Sequence, residues 1–294
     1  MMMNGIGDNA HREISSRLRG YPAAQRLAQE VYEFYGNSLI YIESREFTST
    51  IYALHLQHDP MALKSAEIQL QLGTDRIAES LAHELLHLRM AMVGFPLGEL
   101  VEVPFQLDRY AQFILGMCHW VVNIVHHEIF FQRFIALGFD KKRFLAKPAT
   151  QIDYGNLGKG RPDKVHTEKV SFPRWCIEYV SHWVTARHGG SGNYLRYARD
   201  ALDRGSQFHP ELKQTAAEIG RWFEAGTFKD PRHYPRQVNS LLDLMRIPRF
   251  TGWVILELSE PGKPRAVRLA PDGIHTGVLD KATLCELAAV YMRL

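Results

Sequence analysis

The sequence predicts an α+β fold: a small, mostly antiparallel sheet, then a central helix, then a largely helical second half. Three observations carry this. Residues 66–72 alternate strictly, with Ile68, Leu70 and Leu72 apolar and Glu67, Gln69 and Gln71 polar, the pattern of a half-buried strand. From Asp75 onward apolar residues recur at helical spacing as Ile77, Leu81, Leu85 and Leu88. Beyond residue 172 one helical pattern follows another until about residue 250.

The elements follow in order. Residues 11–35 read as helix, interrupted near Gly20–Pro22, with Leu27, Val31 and Phe34 on one face of its second part; Gly36-Asn37 stops it. Short strands are expected at Ser38–Glu43, Thr48–Leu56 and Ala66–Leu72. The turn Gly73-Thr74-Asp75 supplies a helix N-cap, and the helix runs from Asp75 to Val93, ended by Gly94 with Pro96 beyond. A connector, Leu97–Phe105, leads to a second long helix, Leu107–Leu137, closed by Gly138. Residues 140–170, rich in glycine and basic residues, read as one long loop. Helices are expected at Pro173–Arg187, Tyr194–Asp203, Pro210–Ala225 and Pro235–Met245. The tail changes to a hairpin, Gly252–Leu258 with Arg265–Leu269, and a last helix, Lys281–Arg293. We therefore expect a main domain over residues 1–250 and a small appendage over 251–294.

Bulk composition narrows the class. The chain has 294 residues, of which 46% are hydrophobic and 23% charged, so a substantial core can form without disulfides. Cys118, Cys176 and Cys285 are widely spaced and form no CxxC pair, which argues against a cysteine-based zinc finger and for a reducing compartment. A net charge of +3 is no nucleic-acid signature. The first ten residues lack a secretory pattern, and no apolar run is long enough to span a bilayer. The expected location is cytoplasmic, with no membrane partner.

The chemistry is concentrated in His83-Glu84-Leu85-Leu86-His87. Histidines at i and i+4 leave one helix face a turn apart, which suits two ligands of one zinc ion. The glutamate between them is placed to act as a general base on a zinc-bound water whose pKa the metal has lowered. A catalytic zinc wants a third protein ligand and one open position. The candidates lie together in the second long helix: His127, which shares a face with Asn123 and His119; His126, on another face with Val122, Ile129 and Phe130; and Glu128.

The stretch Ala82–Leu88 with Gly94-Phe95-Pro96, followed by Asn123-xxx-His127 and Leu137-Gly138-Phe139-Asp140, resembles a set of bacterial HELLH-type, zincin-like metalloproteins. Those sequences carry HELLH, a helix with an NxxEH-like segment, and a Gly-Phe/Asp close; this chain has His126 where Glu is common. The resemblance covers roughly residues 66–145. It implies a zincin-like fold, metal-dependent hydrolysis and His127 as the third ligand, with no particular substrate.

Other groups are weaker candidates. Asn123, Glu102 and Asp108 could orient the imidazoles. Tyr179, His182 and His188 could stabilise an oxyanion, although Glu178 and His182 at i, i+4 are as readily a surface pair. Tyr154 could sit on a lid. The basic stretch Lys141–Lys169 reads as a solvated loop before it reads as a nucleic-acid contact, and Trp175, Trp183 and Trp222 read as packing residues. The leading expectation is a zinc metallopeptidase acting on a peptide or protein, bound as an added strand along the edge Glu67–Leu72. The alternatives are a non-catalytic zinc protein that binds a regulatory partner, and a nucleic-acid-binding protein with an incidental HExxH.

Overall fold

Glycine and proline punctuate the chain where the sequence places them. Gly20 (φ +97°) ends the first helical stretch and Pro22 opens the next, giving α1 (Ile6–Arg17) and α2 (Pro22–Tyr35). The computed structural model describes residues 6–44, 54–55, 66–71, 75–93, 95, 109–144, 172–190, 192–247, 253–260, 263–270 and 273–278. The expected connector 97–105, most of the long loop and the last helix lie outside these residues. The chain divides into two compact units, Met1–Glu99 with His126–Pro148, and Leu100–Val125 with Ala149–Leu294. This division runs through the 1–250 span, and the strands of residues 253–278 fall in the second unit.

In the first unit, α2 buries Ala24, Leu27, Ala28, Val31 and Tyr35. Phe34, expected on that face, is 40% exposed; the stripe closes through Tyr35, four residues after Val31. Strands β1 (Leu39–Ser44), β2 (Leu54–His55) and β3 (Ala66–Gln71) form a sheet in the order β1-β3-β2. The alternation holds: Ala66, Ile68 and Leu70 are buried while Glu67 and Gln69 are half-buried.

Two expectations about this sheet are corrected. It is not mostly antiparallel: β1 and β3 pair in parallel over Leu39–Ser44 and Ala66–Gln71, whereas β2 meets β3 antiparallel only at Leu54 and His55. Nor is Glu67–Leu72 an edge, because β3 lies between the other two strands. The reason is common to both. β3 inserts between β1 and β2 instead of adding beyond β2, so it runs against β2 and along β1. An alternating pattern specifies which face is buried, not which neighbour a strand takes.

Helix α3 (Ile77–Met92) packs against this layer and is buried on most of its circumference, through Leu81, Ala82, Leu85, Leu86, Leu88 and Met90. It starts at Ile77 with Arg76 at the cap position and no side-chain cap bond. Asp75, expected as the first residue of this helix, lies before it and receives the Arg143 guanidinium on its backbone carbonyl and its carboxylate. Helix α4 (Arg109–Ala136) passes from the second unit into the first between Val125 and His126. Gly138 (φ +100°) ends it, with its N–H donating to the Ile135 carbonyl. Polar ties join the layers: Arg17 makes a bidentate pair with Glu43, and Glu30 of α2 faces both Arg89 of α3 and Arg133 of α4.

The second unit contains α5 (Phe172–Arg187), α6 (Asn193–Ser206), α7 (Leu212–Ala225) and α8 (Tyr234–Leu244). Helices α5 and α6 approach closely at Gly205, where a Cβ would stand 2.8 Å from Trp175 Cγ. Trp222 donates through Nε1 to Ser240 Oγ at 3.0 Å, joining α7 to α8. The tail is a three-stranded antiparallel meander, β4 (Trp253–Glu260), β5 (Lys263–Ala270) and β6 (Gly273–Val278), one strand more than the expected hairpin. Among the described residues, no helix is long and apolar enough to cross a membrane.

Candidate metal centre

Helix α3 presents His83 and His87 from one face because four residues are close to one full turn. Their ring centroids lie 5.0 Å apart. Helix α4 brings His127 against both, at 4.7 Å from His83 and 5.4 Å from His87. One ligand nitrogen from each of the three residues lies within 4.8 Å of the others, close enough for all three to hold one metal ion. His87 and His127 are buried and His83 half-buried.

The structure thus separates the three candidates for the third ligand. His127 joins the pair on α3. His126, 1% exposed, sets its ring 5.7 Å from that of His87 and is not part of the three-histidine group. Adjacent helical residues diverge by about 100°, so only one of them can share this point with α3. Glu128 is half-buried and also outside the group.

Glu84 is 6% exposed, and burial pushes its carboxyl up to about 8. A cation held by the flanking imidazoles acts in the opposite direction, favouring the carboxylate. The donor set is chemically suited to such a cation: neutral imidazoles ligate zinc and other borderline divalent metals.

Two phenylalanines enclose the imidazoles. Phe130 lies one turn beyond His127 on α4, with its ring 5.4, 4.8 and 5.6 Å from those of His83, His87 and His127. Expected on the face of His126, it instead follows His127 at i+3 and packs beside that ring. No sequence pattern signals Phe144. It follows a 3-10 turn, Lys141–Arg143, at the start of the expected loop, and places its ring 5.1 Å from His83 and 5.3 Å from His127.

The remaining candidates are placed elsewhere. Asn123, one turn before His127 on α4, is half-buried, while Glu102, Asp108 and Tyr154 lie outside the described residues. Tyr179, His182 and His188 belong to the second unit and not to the three-histidine group. There Tyr179 stacks on Trp183, His182 packs on Tyr194 and Tyr197, and Glu178 pairs with Arg204 at 2.8 Å. Burial, above all, lowers the pKa of His182. Trp175 and Trp222 are buried and Trp183 half-buried, in keeping with packing roles. Cys176 is a buried free thiol pushed up to about 12 by desolvation. No family model, curated protein or solved structure matches this chain.

Proposed function

We propose that this protein is a zinc-dependent hydrolase, a zincin-like metallopeptidase in which His83, His87 and His127 hold the metal and Glu84 is the general base. The observation that carries the reading is the convergence of three imidazole nitrogens from two helices within 4.8 Å, with a buried carboxyl between two of them in sequence. When bound, zinc supplies Lewis acidity and brings the pKa of a water toward neutrality. Glu84 then accepts a proton at a carboxylate oxygen, and the apolar walls of Phe130 and Phe144 strengthen every charge interaction by lowering the local dielectric. The substrate class is a peptide or protein.

The burial of His87 and His127 beneath two aromatic rings favours one rival: a structural zinc with a closed coordination sphere, in a protein that binds a regulatory partner. A hydroxamate separates the two readings. Tight binding to the zinc-loaded protein, with zinc-dependent cleavage of a peptide library that Glu84→Gln abolishes, is the expected result. Zinc at about one ion per chain with no hydroxamate binding and no cleavage leaves the structural role. Equal hydrolysis by metal-free protein rules out the mechanism.

A further inference from the structure

A short segment after α4 reaches both helices of the metal centre. Asp140 caps its 3-10 turn by accepting the Lys142 N–H at 2.9 Å. Arg143 extends to the beginning of α3, where its guanidinium forms an ion pair with Glu79 and approaches the Asp75 carboxylate at 3.4 Å. Glu79 lies one turn before His83, and its side chain is only 10% exposed, so its charge needs the partner that Arg143 supplies. Phe144 comes next. It is 2% exposed and packs against Phe131 and Phe134 of α4 as well as against His83 and His127. One segment is therefore pinned to α3 by charge and to α4 by aromatic packing, with its side chain against an imidazole from each.

We infer that Arg143 and Phe144 are positioning residues of the metal centre. The Arg143–Glu79 pair latches the turn onto α3, and Phe144 restricts the rotamers of His83 and His127 so that their nitrogens face a common point before metal arrives. A ligand set ordered in advance does not spend binding energy on ordering itself. The inference rests on the metal-binding reading above. It adds that metal affinity depends on two residues outside the ligand set, about 56 and 57 positions along the chain from His87.

The test compares the full chain with Arg143→Ala, Arg143→Lys, Phe144→Leu and the double variant Arg143→Ala/Glu79→Gln. Zinc affinity is measured by competition with a chromophoric chelator, the visible spectrum is recorded after Co2+ loading, and the melting temperature is measured without metal. Arg143→Ala and Phe144→Leu should each weaken zinc binding by about 10-fold, within the range found for groups that orient metal ligands, and should alter the Co2+ bands. Arg143→Lys should recover part of the loss, and the double variant should lose no more than Arg143→Ala because its buried carboxylate is gone. Lower metal-free melting temperatures with unchanged affinity and spectra overturn the inference, leaving packing as the only role. Failure of the unaltered chain to bind zinc or Co2+ overturns the metal-binding reading itself, before any variant is compared.

Discussion

Helices α3 and α5 both carry an acid beside a histidine, and tertiary packing treats them in opposite ways. On α3, Glu84 is buried and its neighbours His83 and His87 converge with His127 of α4. On α5, Glu178 and His182 stand at the same i, i+4 spacing as His83 and His87, yet Glu178 is taken up by Arg204, which also lies over the Trp175 ring at 5.4 Å. His182 packs among tyrosines, and its Nδ1 is buried with no hydrogen-bond partner among the described residues. A helical repeat can align two groups anywhere. A site needs a third group from another element and an acid that no basic side chain has already taken up.

The largest expected effects sharpen this contrast. Glu84→Gln should retain zinc while lowering turnover by roughly 10²- to 10⁴-fold, the usual worth of a general base. His127→Ala should lose the metal, and His126→Ala and Glu178→Gln should keep it, as measured by elemental mass spectrometry. Metal loss in His126→Ala with retention in His127→Ala would overturn the assignment of His127 to the three-histidine group. Next comes metal removal. If zinc binds only the folded chain, a free concentration 100 times the dissociation constant stabilises it by about 2.7 kcal/mol, and a chelator should reverse the rise in melting temperature. His182→Ala should leave that metal-dependent increment unchanged.

Smaller effects probe packing and charge. Gly205→Ala should destabilise by about 1–3 kcal/mol, because its Cβ would overlap Trp175 and Leu212. Denaturant unfolding monitored by tryptophan fluorescence measures this. The smallest effect concerns Arg17 and Glu43, where hydrogen bonding from Arg17 holds the carboxyl below its ordinary value. That pair contributes above the unfolded carboxylate pKa, and its contribution is lost as pH falls through the lower folded value. Both side chains are partly exposed, so the effect should be at most about 1 kcal/mol. Arg17→Ala should lower stability at neutral pH and flatten this acid-side dependence; an unchanged acid limb would remove the pair from the stability of the first unit.

Local patterns were legible because their physics is local. The alternation of residues 66–71, the glycine stops at Gly20 and Gly138, and the helices α5 to α8 all follow from backbone sterics and periodic burial over a few residues. Helix boundaries shifted by one to five residues, and at the start of α3 Asp75 is held by the distant Arg143. The face of α2 moved from Phe34 to Tyr35 because both stand at helical spacing from Val31, three and four residues on, and burial falls on the second.

Sequence alone placed two histidines and a glutamate together on a helix, since a turn of backbone sets their spacing, and offered His126, His127 or Glu128 on another. Tertiary structure alone decided the rest. It chose His127, because α4 faces α3 along one line and neighbouring residues point about 100° apart. It set β3 between β1 and β2. It also brought Arg143 and Phe144 to the centre across more than fifty residues of chain, a closure that no periodicity encodes and that only packing and a buried charge can specify.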